Sequence, residues 1–183
     1  MIPEIVQNGD PVLRRKASEV PLSDIGKPKL KKILADMEEA LSTQDDGVAI
    51  AAPQIGHSLR IFLVAKAALD MPDKMADRKK MTNRKELKKD AGYLTFINPV
   101  ITKLSKEKAV LDEGCLSVRP LYGKITRSKK ASVKAYDETG RLFERGASGL
   151  LAQIFQHETD HLEGVLFIDN ATDIREMTQE NGD

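Results

Sequence analysis

The stretch Gly149–Glu163 constrains this chain more than any other. Leu150, Ile154, His157 and His161 recur at helical spacing. At 100° per residue they fall within about 60° of one another. Leu151, Phe155 and Leu162 widen that apolar stripe, while Gln156, Thr159 and Glu163 fall on the opposite face and are expected toward solvent. Ser148 offers an N-cap and Gly164 a C-terminal stop. A helix this apolar has to be covered, and its cover has to satisfy two inward-facing imidazoles. Asp160 lies off the apolar arc and needs a partner if it too is covered.

Short β-rich segments are available as that cover. Ile61–Val64 and Leu94–Ile101 are strand-like, and Ala131, Val133 and Ala135 alternate with polar residues. Asp137-Glu138-Thr139-Gly140 supplies a turn before Arg141-Leu142-Phe143. These runs sit too close together for helical crossovers, so the strands are expected to pair antiparallel. A second helix is predicted over Pro28–Thr43, where Leu30, Ile33, Leu34, Met37 and Leu41 keep helical spacing behind a proline suited to a first turn. The expected class is α+β: antiparallel sheets packed around a central helix that carries the histidines.

With 183 residues the chain is expected to form one domain spanning 1–183. Its single cysteine excludes an internal disulfide framework and fits a reducing, cytoplasmic setting. No apolar run approaches the ~20 residues that span a bilayer, and the N-terminus does not read as a secretory leader. The net charge of +1 is too balanced for a dedicated nucleic-acid binder. Charge is unevenly spread, however: residues 66–92 hold nine basic and five acidic residues. That stretch lacks an apolar period and is expected to be a solvated surface insertion.

His157-Glu158-Thr159-Asp160-His161 has the HExxH pattern. Histidines at i and i+4 share a helix face and can hold one metal ion, while the intervening glutamate reaches a water activated there. A third protein ligand is needed. Phe167 stands where an extended HExxHxxGxxH pattern would place a third histidine, which closes that route. Glu176 and Glu180 are available in a polar C-terminal stretch. Cys115, in Glu113-Gly114-Cys115-Leu116-Ser117, is the remaining option, and a two-histidine helix favours it as a ligand over its ordinary role as a small apolar residue.

Three blocks together resemble the signature motifs of the peptide deformylase family: Gly47-Val48-Ala49-Ile50-Ala51-Ala52-Pro53-Gln54, Glu113-Gly114-Cys115-Leu116-Ser117 and Gln156-His157-Glu158-Thr159-Asp160-His161. Their order and the chain length also fit. The resemblance implies hydrolysis of the N-formyl group from nascent polypeptides that begin with formylmethionine, releasing formate. It implies antiparallel sheets around the metal-binding helix, and a catalytic Fe²⁺ replaceable by Zn²⁺, Ni²⁺ or Co²⁺. Carried over residue by residue, it makes Cys115, His157 and His161 the metal ligands and Glu158 the general base and proton donor. Gln54, through its side chain, and Leu116, through its backbone N–H, hold the developing oxyanion. It further implies a substrate lying as an added strand beside the first motif. Gly47, Val48, Ala49, Leu150 and Ile154 are then the expected substrate-binding walls.

Several features depart from the family pattern or lie outside its motifs. Ala49 stands where glycine is usual, and Arg119 stands where a turn-forming or small residue is common. Residues 171–183 are net acidic, unlike the basic C-terminal helix with which some members hold the ribosome. Lys74, Arg78, Lys79, Lys80, Arg84, Lys85, Lys88 and Lys89 suit a weak ribosome contact instead. Glu113 is the expected carboxylate partner of a ligating histidine, with Arg127 or another base balancing it or Asp160. His57 is expected to be a surface residue. The competing readings are a HExxH metallopeptidase with another third ligand and a non-catalytic, metal-stabilised module that binds N-termini.

Overall fold

In a computed structural model, residues 2–81 and 92–177 are described. Among the described residues, eight strands form two antiparallel sheets. The larger contains β1 (Ala49–Ala51), β2 (Ile61–Ala65), β3 (Tyr93–Leu104), β6 (Lys130–Tyr136) and β7 (Leu142–Ser148), in the order β1-β2-β3-β6-β7. The smaller contains β4 (Lys108–Gly114), β5 (Leu121–Ser128) and β8 (Thr172–Glu176), with β5 central. The expected α+β class with antiparallel sheets is the observed one.

β2 explains how the layers stack. All five of its residues are buried, because both faces of its sheet are covered. Ile61 and Leu63 join Ile50 and Ile97 against helix α1 (Pro28–Ser42), which contributes Leu30, Ile33, Met37 and Leu41. Phe62 and Val64 point the other way, with Ala49, Ala51, Phe96 and Val133, against Leu150, Ile154 and Phe155 of a later helix. Phe62 and Phe96 stack at 4.5 Å, and Phe155 meets Phe96 edge-on at 5.2 Å. The period of two sends Ile61 and Leu63 to one core and Phe62 and Val64 to the other, where the phenylalanines cluster.

Among the described residues the next helices are α2 (Met75–Lys79) and α3 (Gly149–Leu162), and α3 carries both histidines of the HExxH block. Its apolar side lies on the larger sheet, while Gln153, Gln156 and His157 reach the smaller one. This second cover corrects one expectation. Gln156 is buried rather than facing solvent: its Oε1 accepts from the Ser128 N–H and its Nε2 donates to the Ser128 carbonyl, both at 2.9 Å. Thr159 is half-buried, and only Glu163 is exposed as expected.

The ends of α3 are set by contacts far away in sequence. The expected Ser148 cap does not form; the side chain of Ser148 makes no capping bond. Asp73 takes that role, its Oδ1 accepting from the Leu150 N–H at 2.9 Å. Gly149 has φ +58, and a Cβ there would overlap the Asp73 carboxylate, so glycine is required twice over. At the other end Gly164 has φ +75 and closes the helix as expected. Its N–H reaches the His161 carbonyl and the Val165 N–H reaches that of Asp160, the double bond pattern of a glycine stop.

The stretch expected to be a solvated insertion begins inside the core. Ala67, Ala68 and Met71 are buried with the α3 cluster, and Arg78 folds inward onto the carbonyls of Pro72 and Asp73. The alanines and Met71 are too few to give a readable period, yet enough to dock the segment. Arg84, Lys85, Lys88 and Lys89 of the basic cluster lie outside the described residues. β8 was not expected at all; its five residues are exposed and polar-rich, and only pairing with β5 defines it.

Candidate metal centre and active site

His157 and His161 sit one turn apart on α3, their ring centroids 4.9 Å from each other. Cys115 comes from the turn that ends β4 and places its Sγ 3.2 Å from Nε2 of His161. One potential ligand atom from each of the three lies within 4.8 Å of the others. A thiolate with two imidazoles is a donor set for late first-row divalent ions. Among the described residues this is the grouping able to hold such an ion. Glu176 lies on exposed β8, outside it, and Glu180 is beyond the described residues. His57 sits half-exposed in a turn after Gln54, also outside the cluster.

A buried ion network orients the imidazoles. Nδ1 of His157 lies 2.6 Å from Oε1 of Glu113, which leaves Nε2 for the cluster. Arg127 donates to both oxygens of Glu113, at 2.5 and 3.1 Å, and to Asp160 at 2.6 Å. Gln153 Nε2 adds a bond to Glu113 Oε2 at 3.1 Å. Burial by itself would raise the Glu113 carboxyl, but His157 and Arg127 outweigh it and hold the group down to about 2. Burial, aided by the charge of His157, pushes His161 well below its ordinary value and so favours the neutral ring a ligand requires.

Glu158 is in a different position. It is almost wholly buried, and its Oε2 has no hydrogen-bond partner among the described residues. Burial pushes its carboxyl up to about 7; His157 opposes this and Glu113 adds to it. A carboxyl balanced near neutrality can both take and return a proton.

Gln54 is fixed by its own turn. Its Oε1 accepts from the Ala51 N–H at 2.8 Å, which turns Nε2 toward Ser117 Oγ (3.1 Å) and Cys115 Sγ (3.5 Å). The N-terminal segment ties these loops together. Val6 N–H donates to the Gln54 carbonyl at 2.9 Å, Gln7 Nε2 to the Leu116 carbonyl at 2.9 Å, and Asn8 N–H to the Ser117 carbonyl at 2.7 Å.

A cleft of about 320 Å³ opens over the cluster. Cys115, His157, Glu158, Gln54 and Leu116 line it, as do all the expected walls: Gly47, Val48, Ala49, Leu150 and Ile154. Its rim includes the ends of β1 and β4, which are edge strands of their sheets.

A sequence model of the family described as polypeptide deformylase matches residues 2–177. The chain belongs to this family. Among its deformylase relatives is that of Dictyoglomus turgidum, 38% identical over 181 residues covering 98% of this chain and 99% of the relative. Another is the chloroplastic/mitochondrial peptide deformylase 1A of Arabidopsis thaliana, 38% identical over 92% of this chain. The chain spans 61% of that relative and 64% of the chloroplastic relative from Solanum lycopersicum. Among solved structures, a Met-Ala-Ser-bound class I type b peptide deformylase from Acinetobacter baumannii superposes with TM-score 0.77 at 28% identity, covering 93% of this chain and 98% of its own.

Seen as a deformylase-family cleft, the site holds residues that motif reading did not supply. Asp112, Gln153, Tyr122, Met75, Arg78, Lys79 and Met177 also line it. Arg119, which had no expected role, forms an ion pair with Asp46 beside the first motif, and Tyr122 donates to the same carboxylate. Arg78 is corrected from a surface cation to a buried one. Ala49, which stands where glycine is usual, packs its methyl in the α3-facing core and also lines the cleft.

Proposed function

We propose that this chain hydrolyses the N-formyl group from formylmethionine at the start of nascent polypeptides and releases formate. On this reading residues 1–183 act as one catalytic domain in the cytoplasm. Cys115, His157 and His161 hold a single divalent ion on central helix α3, with Fe²⁺ native and Zn²⁺, Ni²⁺ or Co²⁺ able to replace it. A bound divalent ion supplies Lewis acidity toward the formyl carbonyl and toward water. Glu158 takes a proton from the attacking water and returns it to the leaving amine nitrogen. Gln54 Nε2 and the Leu116 N–H donate to the oxygen on which negative charge develops.

The substrate is held as a strand. Val48 accepts from the Ala65 N–H within the sheet, and Ala51, three positions on, sends its N–H to Gln54 instead. By the alternation of a strand, Ala49 turns its backbone groups the same way as Ala51, off the sheet and into the cleft. Leu150 and Ile154 then receive the methionine side chain, and they also pack in the core. Lys74 and Lys80 with Arg84, Lys85, Lys88 and Lys89 make a weak ribosome contact; no helix among the described residues is long and apolar enough to cross a membrane.

The single observation that carries this reading is the buried Glu158 carboxylate, its Oε2 without a partner among the described residues, beside a Cys–His–His cluster under a strand edge. The test measures formate from a formyl-Met-Ala-Ser peptide alongside casein digestion. Stoichiometric formate with intact casein is expected, and Glu158→Ala should retain metal while losing activity by several orders of magnitude. Casein cleavage without formate would establish the peptidase reading, and metal binding without either activity the binding module.

A further inference from the structure

The cleft has a wall that the deformylation chemistry leaves without a role. Met75 and Lys79 of α2 line it, and Met177, just past β8, lies beside Lys79. This wall is docked. Asp73 binds the first free N–H of α3, and Arg78 clasps the carbonyls of Pro72 and Asp73 at 2.9 and 2.5 Å. The same helix end carries Leu150, so α2 is held in a fixed relation to the expected methionine pocket.

The charges around this wall are not equivalent. Asp46 has Arg119 as its cation, and Asp112 has Lys124 at 3.1 Å and Arg175 at 3.9 Å. Lys79 has no carboxylate among the described residues. Its Nζ lies 5.3 Å from the centre of the Tyr122 ring and against the Met177 sulfur. An aromatic face orients an ammonium group but does not neutralise it. Lys79 is an exposed cation at the rim of the cleft, so its pull on an anion is modest and weakened by salt.

We propose that Lys79 is a specificity-determining residue, and that the cleft favours formyl-methionyl peptides carrying an acidic side chain at the second or third residue. The inference rests on the deformylase reading above. An extended peptide advances ~3.3 Å per residue, so the residues following a seated methionine leave along the cleft toward its lined rim. There a carboxylate meets Lys79 over Tyr122, whereas a second ammonium meets like charge.

The test compares kcat/KM for formyl-Met-Ala-Glu-amide, formyl-Met-Ala-Gln-amide and formyl-Met-Ala-Lys-amide, and for the matching formyl-Met-Asp, formyl-Met-Asn and formyl-Met-Lys amides. C-terminal amides remove the competing terminal carboxylate. At low salt at least one acidic peptide should exceed its neutral partner by about three- to tenfold, the basic one should fall below it, and the gap should narrow in ~0.5 M salt. Lys79→Met should bring the acidic-to-neutral ratio close to one, while Lys79→Arg should keep it. Equal kcat/KM across charges in the wild-type protein, or a ratio untouched by Lys79→Met, would overturn the role of Lys79 and leave deformylation standing. No formate from any peptide would overturn deformylation itself and this inference with it.

Discussion

Two residues near the cluster show how differently one side chain can be used. Glu113 binds His157, Arg127 and Gln153 at once, so its charge is worth more folded than unfolded. Its carboxyl is held at about 2, below the unfolded value of about 4.3. A depressed carboxylate contributes stability that is fully present above the unfolded value and is lost as pH falls toward the folded one. Glu113→Gln removes that contribution and leaves Arg127 with Asp160 alone, a loss of about 3–5 kcal/mol. Urea unfolding of chelated protein should show a large wild-type-to-variant gap at pH 7 that shrinks near pH 3; a gap independent of pH would refute the linkage. Ala49 is the contrasting case. Its buried methyl faces α3, so Ala49→Gly should lower stability by about 1–2 kcal/mol through lost packing and added chain freedom, with KM for formyl-Met peptides nearly unchanged. A KM that drops tenfold would mean the methyl does intrude on the substrate strand.

Among the elements, α3 depends on a cap that its own sequence does not contain. Asp73→Ala should destabilise the protein by about 1 kcal/mol, seen as a Tm lower by about 2–4 °C, and Asp73→Asn should recover most of the loss. A Tm unchanged in Asp73→Ala would show that the bond contributes nothing. The helix itself was legible in the sequence because Leu150, Ile154, His157 and His161 keep its period, and β2 because Ile61–Val64 is apolar throughout. The rest depended on neighbours distant along the chain. Gln156 reads as solvent-facing until β5 presents the two backbone groups of Ser128 to its amide. Asp73 reads as one charge among many in a basic stretch until its carboxylate meets Leu150. β8 carries neither alternation nor burial, so only its register with Leu121, Tyr122 and Lys124 reveals it. The motif residues were legible because chemistry fixes their types. Arg127 and Gln153, which orient them, were less so because many polar side chains can do such work.

Across the whole molecule, the segment Ile5–Asn8 joins loops from two different motifs through bonds to the carbonyls of Gln54, Leu116 and Ser117. Removing residues 2–7 should therefore lower kcat by about tenfold to a hundredfold, because the proposed oxyanion donors, Gln54 and Leu116, lose alignment, while metal content stays at the level of the intact chain. Loss of metal in parallel with kcat would instead point to collapse of the whole site. Beside the same cleft, β1 and β4 are sheet edges among the described residues. Such edges invite strands from other chains, and proteins normally blunt them with charge, proline or a bulge. On the proposed strand-addition mode those remedies are closed to β1, since anything that hinders a foreign strand would also hinder the substrate peptide. The three-residue length of β1 offers the one compromise left, an edge long enough to seat the first residues of a peptide and too short to template an aggregate.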